Sequence, residues 1–315
     1  MIQSPPILMR AASEAWLDHI ATRKRRPVKQ SSLATMRSWV NSRIVPALGS
    51  IEVRKIGVAV LREFIEELHT DQLSPKTQNE IAAVVKAIIG NCKNSEQEPL
   101  YPRQWNNEDL DLPVVHHASQ RTPIVTAEEI ENAMAISEDR FAVLFALCAG
   151  SGLRISEALA LRLNSDSSDI SVFDATTATL RIRTAIWRQQ ETSPKTNAAK
   201  RDVEITRRLS DYIAAFASGR ANSFLFGNGK PLSSSTARAA LNKQLPGKGF
   251  HSFRRFFVSH RRGMGMIESV LKRLVGHSSG GTITNLYDQF GNRPEDRRAE
   301  VERCGLGFSL PKGAA

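Results

Sequence analysis

Between residues 98 and 123 the chain stops reading as a run of helices, and that break limits what it can fold into. Pro99, Pro102, Pro113 and Pro123 fall in this stretch, apolar periodicity lapses and acidic side chains gather. Proline removes a backbone donor and pushes the preceding residue out of the helical region, so closely spaced prolines mark a connection between folded units. A length of 315 residues allows two domains that each bury a core. We therefore expect one domain over 1–105, a linker over 106–123, a second domain over 124–292 and a tail over 293–315.

Upstream of the break, apolar residues recur at helical spacing. Residues 9–22 put Ala12, Trp16, Leu17 and Ile20 on one face. Residues 30–45 follow with Leu33, Met36, Val40 and Ile44 inward, Ser31 or Ser32 as cap, and Pro46 and Gly49 as breakers. A third helix over 56–69 carries Val60, Leu61, Phe64, Ile65 and Leu68, and a fourth opens at Ser74-Pro75 and carries Ile81, Val84, Val85, Ile88 and Ile89. This is an all-α domain with Lys- and Arg-rich faces. Arg23, Lys24, Arg25 and Arg26 follow its first helix and read equally as a solvated turn or as a phosphate contact.

The second domain mixes periods. Thr126 with Glu129 has the spacing of a capping box, and residues 139–149 form an apolar helix that Gly150-Ser151-Gly152 breaks. A helix is expected to restart over 153–163, with Leu153, Leu159 and Leu163 inward. Strand-like runs follow at 169–173, 178–187 and 201–206, the last two separated by a polar turn from Glu191 to Lys200. Helices are expected at 207–217 and 233–244, then a basic pair ending at Gly276, a charged helix at 293–304 and a loose end at 305–315. The fold class is mainly α, with a small antiparallel sheet in the second domain.

The net charge of +11 and a pI near 9.9 point to a polyanionic partner, nucleic acid first. Cys92, Cys148 and Cys304 lie far apart and suit reduced thiols rather than a zinc site. His116-His117 has no third ligand nearby, so no metal is expected there. No apolar run is long enough for a membrane span and no signal peptide is visible, so a cytoplasmic, nucleoid-associated protein is expected.

The chemistry concentrates between His251 and Tyr287. His251 and Arg254 sit three apart and share a helical face, His277 follows Gly276 directly, and Tyr287 comes after a polar loop. Arg154 stands where a helix restarts, with Glu157 three positions on to orient it or a neighbour. Lys195 sits in the polar turn between two strands. Taken singly each has a plain reading: a surface ion pair, a solvated lysine, a satisfied polar pair, a helix cap, a core tyrosine. Their order along one chain is what adds meaning.

That order resembles the catalytic domain of the tyrosine recombinase, or phage integrase, family. The matching stretches are G-S-G-L-R-I-S-E at 150–157, S-P-K-T at 193–196, H-S-F-R at 251–254, L-V-G-H-S-S at 274–279 and N-L-Y at 285–287. The helical domain is similar to the family's core-binding, SAM-like domain. The resemblance implies a two-domain clamp on double-stranded DNA that acts as a site-specific recombinase without metal or ATP. It implies that Arg154 and Arg254 bind the scissile phosphate and that Lys195 protonates the leaving 5′-oxygen. His251 would serve acid–base chemistry, His277 would hydrogen-bond the phosphate, Glu157 would support Arg154, and Tyr287 would attack. Arg255 stands where many members carry a second histidine, and we expect it, with Arg23 to Arg26, to contact DNA. His277 and Tyr287 are ten positions apart, one more than in many members. The family further implies a homotetramer on paired DNA sites, a tail that packs on a neighbouring protomer, and an accessory DNA-bending or directionality protein. A type IB topoisomerase-like nicking–closing enzyme and a catalytically idle DNA-binding protein are the alternatives.

Overall fold

The computed structural model describes residues 6–116, 123–165, 167–193, 199–220, 223–277 and 293–311. Lys195, Tyr287 and His117 lie outside these residues. The chain divides into two compact units, Met1–Gln120 and Arg121–Ala315.

The first unit is helical. Helix α1 (Met9–Thr22) buries Ala12, Trp16, Leu17 and Ile20, the face its periodicity predicts. Helix α2 (Gln30–Trp39) starts after Lys29 with no side-chain cap, so neither Ser31 nor Ser32 plays that part. Nor does Pro46 end this helical segment. A π-turn over Val40–Ile44 comes first, in which the Val45 N–H reaches back to the Val40 carbonyl, and α3 (Val45–Leu48) then continues through Pro46. The wider turn relaxes the backbone where proline would otherwise leave a carbonyl without its donor and press on the turn before it. Helices α4 (Val58–Thr70) and α5 (Pro75–Asn91) complete the core, and Ser74 Oγ accepts from the Thr77 N–H at 3.3 Å. Much of the proline-rich stretch also packs here. Leu110 is fully buried in this core, and the Asp109 carbonyl accepts from Arg62 Nε at 3.0 Å. An extended segment that docks residue by residue has no period for a sequence to display.

The second unit is built around α7 (Asp139–Ser151), buried from Phe141 to its end and flanked by α6 (Ala127–Ala135), α9 (Arg207–Ala217) and α11 (His251–Gly263). The capping box at α6 forms, with Glu129 N–H to Thr126 Oγ1 at 3.1 Å and Thr126 N–H to Glu129 Oε2 at 2.8 Å. Gly152 ends α7 in the left-handed region at φ 66°, and a Cβ there would meet the Phe257 ring at 2.6 Å. The helix expected over 153–163 is one turn, α8 (Ile155–Ala158). The chain leaves it because Arg162 bridges Val172 and Phe224 through its backbone, while its guanidinium lies 4.0 Å from the centre of the Phe224 ring.

A three-stranded antiparallel sheet follows in the order β1 (Val172–Asp174), β2 (Thr179–Ile182), β5 (Arg201–Glu204), with Leu180 opposite both Phe173 and Val203. The strand expected over 178–187 divides in two. Ser171 Oγ accepts the N–H groups of Arg183 at 2.9 Å and Thr184 at 2.8 Å, and the chain turns into a separate hairpin of β3 (Ala185–Trp187) and β4 (Gln190–Thr192). Helix α10 (Ser234–Gln244) precedes α11, and α12 (Glu268–Val275) ends on Gly276 at φ 67°.

Within the stretch expected to be loose, residues 305–311 are packed. Helix α13 (Pro294–Cys304) leads into residues 305–311, where Leu306, Phe308 and Leu310 alternate into the core of the unit that bears them. His260 Nε2 meets the Cys304 carbonyl at 2.9 Å, and Arg261 Nη1 donates to the Val301 carbonyl at 2.9 Å. Arg297 and Glu204 form a bidentate pair, Nε to Oε2 at 2.7 Å and Nη2 to Oε1 at 2.5 Å, with both side chains nearly inaccessible. Truncating one member strands the other's charge. Glu204→Ala is thus expected to destabilise the protein by about 3–5 kcal/mol in denaturant titration, and Arg297→Met with Glu204→Leu to recover most of that loss. Wild-type stability in Glu204→Ala would disprove the pair's role. Among the described residues no helix is long and apolar enough to cross a membrane.

Candidate active site

Three elements bring the expected residues together. The α7–α8 junction supplies Arg154 and Glu157, the first turns of α11 supply His251 and Arg254, and the end of α12 supplies His277. Arg254 is buried on the inner face of α11, with Nη1 donating to the Gly152 carbonyl at 2.8 Å and Nη2 to the Val275 carbonyl. A glycine in the left-handed conformation therefore both ends α7 and turns its carbonyl toward this guanidinium. His251 lies one turn earlier and is exposed. His277 is also exposed, its N–H held by the Lys272 carbonyl at 3.0 Å past the Gly276 turn.

Glu157 is buried and serves two arginines. Its Oε1 pairs with Arg154 Nη1 at 2.7 Å, while Oε2 accepts the Arg154 backbone N–H at 3.1 Å and Arg201 Nη2 at 3.0 Å. Arg201, at the start of β5, was not among the residues the sequence singled out. Its Nε donates to the Leu274 carbonyl at 2.7 Å and its Nη1 to the Ala199 carbonyl at 2.9 Å. In the sequence it reads as an ordinary basic residue opening a strand. Only its inward phase with Val203 hints that it is buried.

Cations outnumber anions here. Arg154, Arg201 and Arg254 face one carboxylate. Burial, then Arg154 and Arg201, push the Arg254 guanidinium down to about 10, so it stays charged at neutral pH. Burial raises Glu157, but Arg201 and then Arg154 outweigh it and hold the carboxyl below its usual range. Both rings keep access to solvent, but His251 is pushed down by partial desolvation first, then by Arg255, Arg254 and Arg154, and His277 by partial desolvation, then by Arg254, Arg154 and Arg201. Both imidazoles are neutral at pH 7 and stand in a field that an incoming anion would relieve. Burial, with help from Glu157, raises the Cys148 thiol behind them, which keeps it protonated.

Beside Arg154 and His251 opens a cleft of about 650 Å³, lined also by Arg238, Asn242 and Lys248. A larger cleft, about 950 Å³, lies over the three-stranded sheet, but its arginines are interleaved with Asp174, Asp202 and Glu204 and carry no comparable surplus. Arg255, expected to contact DNA, is half-buried with Nη1 on the Pro123 carbonyl at 3.1 Å. Arg23 to Arg26 form an exposed turn, closed by Arg23 Nε on the Arg26 carbonyl at 2.8 Å. They belong to the other unit. Among the described residues no group of three His, Cys, Asp or Glu side chains is placed to hold a metal ion.

Residues 123–291, more than half of the chain, match the family model described as the phage integrase family, and residues 13–69 match that of the phage integrase N-terminal SAM-like domain. Among solved structures, the Tn1549 transposon integrase in complex with transposon right-end DNA superposes with a TM-score of 0.64 at 18% identity, over 94% of this chain and 99% of that one. A lambda integrase dimer bound to a core site superposes with a TM-score of 0.59 at 14% identity, over 93% of this chain and 96% of that one. These likenesses establish a shared fold. No curated protein matches the sequence.

Proposed function

The chain belongs to the phage integrase family, the tyrosine-type site-specific DNA recombinases, and from that premise we propose that it cuts and rejoins duplex DNA through a 3′-phosphotyrosyl intermediate on Tyr287. One observation carries the reading. Three guanidinium groups gather around one carboxylate that pairs with only two of them, their charge depresses the two histidines beside them, and the group that would balance the surplus is a phosphodiester.

In the proposed reaction the Tyr287 oxygen attacks phosphorus and the bond to the 5′-oxygen breaks. Arg154 and Arg254 stabilise the charge that builds on the nonbridging oxygens, the work divalent metals do elsewhere. A phenol has a pKa of about 10 and must give up its proton as it attacks, and His251, neutral at pH 7, takes it. A guanidinium does not give up protons, so Lys195 protonates the leaving oxygen while His277 hydrogen-bonds the phosphate. The phosphotyrosyl ester conserves the bond energy, and a 5′-hydroxyl from a second DNA reverses the step without ATP.

DNA would be gripped mainly through phosphates, with affinity falling steeply as salt rises. Arg23 to Arg26 are proposed backbone contacts on the helical unit. Strand exchange between two sites calls for a homotetramer, and a DNA-bending accessory protein would help assemble it.

The test is covalent trapping. Full-length protein is incubated in excess EDTA with nicked duplexes carrying candidate terminal sequences, then denatured. A denaturation-resistant adduct whose nucleotide-bearing peptide contains Tyr287 is expected. Tight binding to a duplex with no adduct under any condition would sink the catalytic reading and leave a DNA-binding protein.

A further inference from the structure

Arg201 is placed where the separate parts of the site meet. Its guanidinium makes bonds in three directions, to Glu157 behind Arg154, to the Leu274 carbonyl near the end of α12, and to the Ala199 carbonyl on its own strand. Its side chain is 3% accessible, and Nε, Nη1 and Nη2 are each bonded to acceptors within the protein, which places its action behind Arg154 and the α12 turn.

The bonding pattern at Glu157 shows what this arrangement does. An unshared carboxylate would take the Arg154 fork with both oxygens, the geometry that pairing favours. Here Arg201 occupies the inner positions, Nη2 on Oε2 at 3.0 Å and Nη1 near Oε1 at 3.4 Å. Glu157 therefore engages one guanidinium nitrogen of Arg154, Nη1, and its backbone N–H. The remaining edge of the Arg154 fork is left to meet an anion. The second direction works on α12. Arg201 takes the Leu274 carbonyl and Arg254 takes the next one, Val275, so two arginines hold the turn that delivers His277. A helix C-terminus is the favourable end for a cation, which offsets part of the cost of packing these like charges together.

Stability alone does not account for the group. A buried ion pair is commonly no better than apolar packing of the same volume, and this one brings a further positive charge beside Arg154 and Arg254. We propose that Arg201 is a positioning residue for strand cleavage, setting Arg154 through Glu157 and the His277 turn through the Leu274 carbonyl. The inference rests on the recombinase reading above.

The experiment compares Arg201→Met and Arg201→Lys with wild type in full-length protein. Three quantities are read: melting temperature, DNA affinity with its salt slope, and the single-turnover rate of covalent adduct formation at saturating DNA. A small misplacement of catalytic groups costs about 10²-fold. Arg201→Met is expected to lose about that factor in rate at saturation, with DNA affinity and salt slope unchanged. Arg201→Lys, which keeps the charge but cannot span all three acceptors, is expected to fall between. Because Arg201 acts through Glu157, adding Glu157→Gln to Arg201→Lys should cost less than the two separate losses combined.

Wild-type rates in both variants would overturn the proposal. So would a salt slope reduced by about one phosphate contact, since that would make Arg201 a DNA ligand. So would rate and binding that fall together in step with the folded fraction, or fully additive losses with Glu157→Gln. If Arg201→Met does not fold, Arg201→Lys and its cycle decide the matter. An inert wild type is a different outcome, because it strikes the parent reading.

Discussion

Replacing Tyr287 with phenylalanine is expected to abolish the covalent protein–DNA adduct completely, while DNA affinity and its salt dependence stay at wild-type values. The substitution removes one oxygen and keeps the ring, so little else should change. The chain has only three tyrosines, and the other two are poor substitutes. Tyr212 is buried in the core of the catalytic unit, where burial and then Asp139 push its hydroxyl up, away from the phenolate a nucleophile needs. Tyr101 packs against the core of the helical unit. Denaturing electrophoresis of the trapped complex checks the result. An adduct that persists in Tyr287→Phe would mean that another side chain attacks, and the assignment would fail.

The next largest loss is expected from Arg254. Arg254→Ala should slow adduct formation at saturating DNA by about 10³-fold, at the upper end for a preorganised charge donor facing developing oxyanions. The effect should fall on the rate at saturation more than on affinity, because the phosphate gains charge on its oxygens only as the tyrosine attacks. Arg254→Lys should recover little, since an ammonium cannot hold the Gly152 and Val275 carbonyls and still present a planar pair of donors. Single-turnover cleavage of a nicked duplex measures both. A rate within tenfold of wild type in Arg254→Ala would remove this residue from the reaction.

The residues of the site differ in how visible they are in the sequence. Arg154, Glu157, His251, Arg254 and His277 sit in short local motifs, and each local conformation they need is also local: a glycine turn before Arg154, a helical three-residue step from His251 to Arg254, a left-handed Gly276 before His277. Arg201 has no such signature. Its meaning comes from Glu157, 44 positions away, and from Leu274, 73 positions away. The same divide runs through the fold. Helices with a clear apolar face, such as α1 and α5, are where periodicity places them. The helix expected over 153–163 shrinks to one turn because partners at Val172 and Phe224 claim the backbone of Arg162. The tail misleads for a different reason. Gly305, Gly307 and Pro311 read as loop punctuation, yet Leu306, Phe308 and Leu310 between them keep the two-residue alternation of a half-buried extended segment.

The seating of that tail sets an order of events in the cell. Helix α11 carries His251 and Arg254 at one end. Further along, Phe256 meets Phe308 edge to face, His260 is held by the Cys304 carbonyl and Arg261 by the Val301 carbonyl. A ribosome adds roughly 5–20 residues each second, and domains settle as they emerge. The helical unit can finish folding while the other unit is still being made. The helix that bears His251 and Arg254, two of the proposed phosphate-handling side chains, cannot take its final place until residues 301–310 have cleared the exit tunnel. The helical unit can therefore be complete early, while the proposed cleavage site is assembled only after residues 301–310 are free to pack.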